Sequence, residues 1–397
     1  MAKVQVYYSA ELTEYHFGPT HPMAPARLTL TMDLIEALGL LDLEAICVLA
    51  PPIATDAELA RVHAGEYIAA IKAASTGELP SGGEVFGLAD PDCPPFRHMH
   101  RAAARLAGAS LAACRAVASG EAKRAINFAG GMHHAMPAKA AGFCVYNDAA
   151  VGIADLLAHG ASSVLYIDID AHHGDGVEKM FRDDPRVTTI SIHQHPDSLF
   201  PHTGYPQDVG GTNAKGHAIN LCLPPRSDDA AALRAIEAIV EPVIAELKPD
   251  VVITQHGCDA HIADPLTDLA WSVDGMRSAA ILLRDLIETH SSGRWVALGG
   301  GGYAVCSVPP RAWSHLVAVA ADHDLAPTVA IPECWRAAAQ KSGPCAGADI
   351  PTTMGDGIDV NVKPFSWGYD PADPIDRAIM ATRSAAFPEL GIDSLVI

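Results

Sequence analysis

The chain has 397 residues, 49% of them hydrophobic and 19% charged, so it can bury a large core and is not intrinsically disordered. Its 27 basic against 47 acidic side chains give a formal net charge of −20, which argues against non-specific binding of DNA or anionic membranes. No run of about 18 apolar residues occurs, and the opening residues MAKVQVYYSAE lack a signal peptide's apolar core and cleavage site, so a cytoplasmic protein is expected.

Short apolar runs alternate with longer helical patterns. In chain order, strands are expected at 4–8, 125–128, 164–169, 187–192, 251–254 and 295–298. All are nearly continuous apolar runs, which suits a sheet buried on both faces. Between them lie helical patterns. Residues 27–40 carry Leu28, Leu34, Ile35 and Leu38, and residues 98–119 are rich in alanine and leucine. Residues 149–159 follow the capping pair Asn147 and Asp148 and stop at Gly160. Residues 228–247 contain Pro242, where a kink or break is expected. Residues 273–289 follow Ser272, a natural N-cap. This alternation predicts an α/β fold, a single-domain parallel sheet flanked by helices on both faces. Residues 321–397 are rich in proline and read as an extension wrapping a domain that spans 1–320. The nine cysteines are odd in number, irregular in spacing and without a Cys-x-x-Cys pair, against a disulfide framework or a cysteine-type zinc site.

Ligands of open α/β sheets bind at the carboxyl ends of the strands. Five apolar runs here end in chemistry. They lead into Gly130, Gly131, His133 and His134; into Asp168, Asp170, His172 and Asp175; into His193 and His195; into His256 and Asp259; and into four glycines before Tyr303. Asp168, Asp170 and His172 stand two apart, which in extended chain places them on one face. Asp170 and His172, with Asp259 from another strand, would make three protein ligands and an open position, the pattern of catalytic zinc. Histidine at 133 or 134 is a natural general base. The glycine run fits neither a dinucleotide fingerprint nor a P-loop and reads as a loop that places Tyr303.

Several segments together resemble the zinc-dependent histone deacetylase family, nearest its bacterial class I-like, acetoin-utilisation branch. They are GGMHHAMPAKAAGFCVYND at 130–148, LYIDIDAHHGDGVEKMF at 165–181, ISIHQHPDSLFPHTG at 190–204, QHGCDAHIADP at 255–265 and LGGGGY at 298–303. HPMAPAR at 21–27, DCPPF at 92–96 and the tail DPADPIDRAIMATRSAAFP at 370–388 match as well. The resemblance implies the arginase–deacetylase fold, with eight parallel strands. It implies zinc on Asp170, His172 and Asp259, with Fe²⁺ or Co²⁺ admissible in so oxygen-rich a set. His133 and His134 would be the tandem histidines, held by Asp168 and Asp175, and Tyr303 the catalytic tyrosine. Gly142, Phe143, Phe200 and Leu266 would line the acyl-lysine tunnel, Asp92 its rim, and Arg27 the inner cavity where acetate leaves. A structural K⁺ would use Asp168, Asp170, Ser191 and the backbone of His172 and Ile192. An outer K⁺ site finds Phe181 and Val187 in place but Asp184 and Ile219 at two other positions.

The implied activity is hydrolysis of Nε-acetyl-lysine, on an acetyl-lysine peptide or on an acetylated metabolic enzyme such as acetyl-CoA synthetase. Neither a nucleic-acid nor a membrane partner is expected. An acetylpolyamine amidohydrolase would use the same mechanism. A manganese ureohydrolase would need carboxylates at Gly174 and beyond Asp259, although His261 offers a further donor. A non-catalytic acyl-lysine binder would lack a ligand or the tyrosine. Cys93 and Cys144, beside site residues, read as packing or as redox-sensitive thiols.

Overall fold

The computed structural model describes residues 4–395. Its strands are β1 (Val4–Tyr7), β2 (Ile46–Leu49), β3 (Arg124–Asn127), β4 (Val164–Asp168), β5 (Val187–Gln194), β6 (Ala218–Leu223), β7 (Val251–Gln255) and β8 (Trp295–Leu298). They form one sheet in the order β2-β1-β3-β8-β7-β4-β5-β6, and every pairing is parallel. Residues of β1, β3, β4, β7 and β8 are all buried, as expected of strands covered on both faces. The six inner strands fall where the apolar runs predict them, within two residues. The two edge strands, β2 and β6, are not among the expected runs: β2 is a short apolar run but half exposed, and Asn220 interrupts β6.

The longer helices are α1 (Ala26–Ala37), α2 (Asp56–Leu59), α3 (Gly65–Ala74), α4 (Met99–Ser119), α5 (Asp148–Ala158), α6 (Asp175–Phe181), α7 (Asp229–Leu247), α8 (Val273–His290), α9 (Pro309–Ala320), α10 (Glu333–Ala339) and α11 (Pro374–Ala386). Asn147 caps α5 by accepting the Ala150 N–H at 3.0 Å, and Ser272 caps α8 by accepting that of Gly275 at 3.0 Å. No helix among the described residues is long and apolar enough to cross a membrane.

Pro242 does not break α7, contrary to the expectation from sequence. Proline at that position leaves the Ala238 carbonyl without its donor one turn on. The buried Arg383 of α11 supplies one instead, its Nη1 lying 3.0 Å from the Ala238 oxygen. The C-terminal segment therefore supplies the donor that α7 lacks at Pro242. It also covers the β6 edge, where the Thr382 hydroxyl donates to the Asn220 carbonyl at 2.7 Å. Arg234 of α7 makes a two-pronged pair with Asp376 of α11 at 2.6 and 2.8 Å. Trp335 of α10 donates to the Leu30 carbonyl on α1 at 3.0 Å.

A second departure concerns the cysteines. Cys306 and Cys345 form a disulfide across a separation of 39 residues. The spacing gave no sign of it because the pair forms only when the extension folds back beside the loop after β8.

Candidate active site

One register row crosses the sheet at its C-terminal edge: Asn127, Leu298, Gln255, Asp168, Ser191 and Asn220 are neighbours in turn. The loops that leave this row build the site. After β4 the strand ends at Asp168, so alternation along a strand does not bring Asp170 and His172 together. A turn does, in which the His172 N–H donates to Asp170 Oδ1 at 2.9 Å. Asp170, His172 and Asp259 then offer one donor atom each, all within 4.8 Å of one another. His172 Nδ1 lies 3.1 Å from Asp170 Oδ1 and 2.9 Å from Asp259 Oδ2.

Three buried groups fix these ligands, and sequence reasoning named none of them for this role. Gln255 donates from Nε2 to Asp170 Oδ2 at 2.9 Å, and the Gly301 N–H donates to the same oxygen at 2.8 Å. The Ala171 N–H holds Asp259 Oδ1 at 3.0 Å. The four glycines are a close-packed wall rather than a flexible loop. A Cβ at Gly299, Gly300, Gly301 or Gly302 would lie 2.0–2.3 Å from Phe128, Gln255, Asp259 or Cys258 respectively.

Asp168 faces away from this cluster. Its Oδ2 receives His133 Nδ1 at 2.8 Å and the Tyr166 hydroxyl at 2.7 Å. His134 Nδ1 pairs with Asp175 Oδ1 at 2.8 Å, at the first turn of α6, where the helix dipole favours a carboxylate. The two imidazole centroids lie 4.0 Å apart with the rings tilted by 52°, yet their pKa values are shifted in opposite directions. Burial opposes the charge on His133, yet Asp168 and Asp170 outweigh it and raise the group to about 9. Burial and the neighbouring His133 lower His134 to about 4. Asp148 anchors the backbone that carries both, accepting from the Gly131 and Met132 N–H groups at 3.1 and 2.7 Å.

A cavity of about 190 Å³ opens above this floor. Its walls include Gly142, Phe143, Phe200 and Leu266, with His133, His134, Asp170, His172 and Tyr303 below and Asp92 at the same opening. The Phe143 and Tyr303 rings meet edge to face at 5.6 Å, and Phe200 meets His134 at 5.0 Å. A Cβ at Gly142 would come 2.4 Å from His134 Cδ2, so only glycine leaves the histidine room. Burial above all pushes the Tyr303 hydroxyl well above its ordinary range. Its backbone N–H is held at 2.7 Å by Asp264, another residue the sequence did not single out.

A second, water-sized cavity of about 10 Å³ lies behind, sharing Met23 and Met132 with the first. Arg27 lines it and donates to the Gly300 carbonyl at 2.8 Å. Ser191 Oγ lies 3.4 Å from the Gly174 nitrogen, and a Cβ on Gly174 would meet Asp168 Oδ2 at 2.4 Å. Near Phe181 and Val187, the Asp184 carboxylate pairs with its neighbour Arg186 at 2.6 Å. His261 turns away from the donor cluster toward Asp356, 3.0 Å distant, which leaves the ureohydrolase reading without its extra ligand. Cys93 and Cys144 are buried, and burial pushes both thiols up, the behaviour of packing residues rather than reactive ones.

Fold and site together define an α/β protein built round a buried cluster of three side chains that could hold a metal ion, at the foot of a largely apolar cavity. The histone deacetylase domain matches residues 21–320. The acetoin utilization protein AcuC of Bacillus subtilis (strain 168) is 39% identical over 354 residues, 89% of this chain and 90% of that protein. The AcuC protein of Staphylococcus xylosus is 37% identical over 350 residues, 88% and 89% of the two chains. The crystal structure of an HDAC homolog from Aquifex aeolicus superimposes with a TM-score of 0.82 at 25% identity, covering 96% of this chain and 100% of that one. A structure of an HDAC homolog complexed with SAHA gives 0.82 at 26% identity, covering 96% and 99%. This chain belongs to the histone deacetylase family, whose members are metal-dependent, and it is a hydrolytic deacetylase.

Proposed function

We propose that the protein is a zinc-dependent lysine deacetylase that hydrolyses the Nε-acetyl-lysine amide of a peptide or protein to lysine and acetate. The observation that carries this reading is the arrangement of the floor: three buried ligands, a carboxylate-held histidine and a tyrosine converge at the base of one narrow apolar tunnel.

The donor set fits a divalent cation. Asp170 and Asp259 are buried side by side. Asp170 is held well below the usual carboxylate range, where His133, His172 and Gln255 outweigh its burial, and Asp259 is pushed up by burial and by Asp170. Two carboxylate oxygens and one imidazole nitrogen with an open side suit zinc, and equally Fe²⁺ or Co²⁺. Asp170, His172 and Asp259 would hold the ion, which would supply a Lewis acid for the amide carbonyl and lower the pKa of water toward ~7. His134, oriented through Nδ1 by Asp175, leaves Nε2 to take the proton of the attacking water and return it to the departing amine. His133, paired with Asp168, steadies the charge that develops. Tyr303 donates its hydroxyl hydrogen bond to the carbonyl oxygen as that oxygen gains charge, a contribution worth ~10²–10³ in rate.

Gly142, Phe143, Phe200 and Leu266 enclose the methylene stem of the lysine, and Asp92 at the mouth accepts backbone N–H groups of the substrate. Arg27 lines the route by which acetate leaves. Asp168, Asp170 and Ser191, with the His172 and Ile192 carbonyls, would hold K⁺ behind the floor. The likeness to AcuC proteins supports an acetylated metabolic enzyme, such as acetyl-CoA synthetase, as the natural partner, in the cytoplasm.

The test is turnover of a fluorogenic acetyl-lysine peptide by wild type, Asp170→Ala and Tyr303→Phe, with acetylspermidine in parallel. Peptide turnover that collapses in both variants supports the assignment. Turnover of acetylspermidine alone moves the substrate to polyamines, and turnover of neither by metal-loaded enzyme refutes the deacetylase reading.

A further inference from the structure

The C-terminal extension lies beyond the matched domain, yet one of its carboxylates reaches both active-site loops. Asp356 Oδ2 accepts from His261 Nε2 at 3.0 Å and from the Val273 N–H at 2.7 Å, while Oδ1 accepts from Arg311 Nη1 at 2.8 Å. His261 Nδ1 receives the Ala263 N–H at 3.0 Å, which leaves Nε2 as the protonated nitrogen that donates to Asp356.

These bonds belong to a closed circuit. The His261 carbonyl accepts the Asp264 N–H at 2.8 Å, and Asp264 Oδ2 accepts the Tyr303 N–H at 2.7 Å. Four residues past Tyr303, the Ser307 carbonyl accepts from Arg311 Nε, and Arg311 returns to Asp356. The circuit thus runs from the extension through the loop that bears Asp259, across to the loop that bears Tyr303, into α9 and back. His261 and Arg311 are 5% and 2% exposed, and the Asp356 side chain that pairs with both is 23% exposed. The Cys306–Cys345 disulfide joins the extension to the Tyr303 loop a second time. The seat is tight. The Asp356 N–H donates to Asp274 Oδ2 at 2.6 Å, and a Cβ on Gly355 would lie 2.5 Å from Asp274 Oδ1.

We propose that Asp356 is a positioning residue for the deacetylation step: through His261 and Arg311 it fixes the loops that carry Asp259 and Tyr303. The extension is then part of the catalytic unit. This inference rests on the deacetylase reading above. None of Asp356, His261 and Arg311 lines the tunnel, so their effect passes through geometry and not through substrate contact. Phe143 and Phe200, which face the substrate stem, sit on loops outside the circuit, whereas Leu266, whose N–H donates to Asp264 Oδ1 at 3.0 Å, lies on it. Loosening the circuit therefore moves the tyrosine hydroxyl relative to the carbonyl oxygen more than it disturbs the stem, which keeps both aromatic walls.

The experiment uses the full chain with Asp356→Asn, which keeps shape and loses charge, and His261→Asn, which keeps the acceptor near Ala263 but does not reach Asp356. For each, kcat and KM are measured on an acetyl-lysine and a trifluoroacetyl-lysine peptide, with thermal midpoints alongside. The trifluoroacetyl carbonyl is more electrophilic and depends less on a donor at its oxygen. Tyr303→Phe sets the direction in which the ratio of the two rates moves when that donor is lost. The expected result is a fall in kcat on the acetyl peptide of roughly 10–100-fold, as for a misplacement of about 1 Å. KM changes less than kcat, and the trifluoroacetyl-to-acetyl ratio shifts in the Tyr303→Phe direction. Equal proportional losses on both peptides mean only that less enzyme is folded, and that overturns the proposal, as does wild-type kcat in either variant that folds. A wild type that turns over neither peptide refutes the deacetylase reading itself instead.

Discussion

Replacing Gly301 by alanine should disable the metal site without unfolding the protein. The backbone of Gly301 is not left-handed, so alanine is tolerated there conformationally, and the whole effect comes from the added methyl group. That carbon would lie 2.1 Å from Asp259 Oδ2 and 3.1 Å from Asp170 Oδ2. Ordinary contact begins at 3.4 Å, so the Asp259 carboxylate must move by 3.4 − 2.1 = 1.3 Å. It is fully buried and tethered at 3.0 Å by the Ala171 N–H and at 2.9 Å by His172, so the shift breaks at least one charged hydrogen bond. Such a bond is worth about 1.5–3 kcal/mol, and a misplacement of about 1 Å costs ~10²-fold in rate. The assay is kcat/KM on an acetyl-lysine peptide together with metal content by atomic absorption. Gly65→Ala serves as the control, because a Cβ there meets nothing within 4 Å and the site lies at the start of α3. The expectation is a loss of about 100-fold in kcat/KM with reduced metal in Gly301→Ala, and neither in Gly65→Ala. Full metal content and wild-type turnover in Gly301→Ala would refute the reasoning.

Further expectations concern stability. His63, His256 and His315 are buried, and burial lowers them to about 4, about 3 and about 4. Below pH ~6.5 the unfolded chain binds protons that these three folded-state groups refuse, so their contribution to stability is level above that pH and falls as pH drops toward 4. Each such group contributes on the order of 3 kcal/mol of that loss at full extent, and urea midpoints at pH 7.5 and 5.5 check the sign. Cys306→Ser opens a loop of 39 residues, for which chain entropy predicts a loss of about 4 kcal/mol. A thermal midpoint unchanged by the substitution, or by a thiol reductant, would contradict this. Asp376→Ala removes the only carboxylate paired with the buried guanidinium of Arg234 among the described residues, leaving it backbone carbonyls alone, and lowers the urea midpoint.

The parts of the fold legible in the sequence were those whose physics is local. Strands covered on both faces must be apolar throughout, so all six inner strands read as runs. The edge strands follow a different rule. Ile46–Leu49 is short and half exposed, and Ala218–Leu223 owes its burial to α11, which comes more than 150 residues later. The floor of the site was legible because its polar residues cluster where apolar runs stop. The groups that hold it were not. Gln255, Asp148 and Asp264 are single polar residues whose role is fixed by contacts across loops, and His261 meets its partner Asp356 at a separation of 95 residues. The expected break at Pro242 failed for the same reason. The donor that replaces the missing proline N–H, Arg383, stands 145 residues from Ala238.

The central claim is that deacetylation depends on one divalent ion held by Asp170, His172 and Asp259. Its most direct test strips the enzyme with a chelator and titrates zinc back while following both bound metal and peptide turnover. The account predicts that activity returns in proportion to metal and saturates near one equivalent per chain, and that Asp170→Ala and Asp259→Ala neither bind zinc tightly nor recover. Full turnover by the stripped enzyme, or full recovery in either variant, would contradict it.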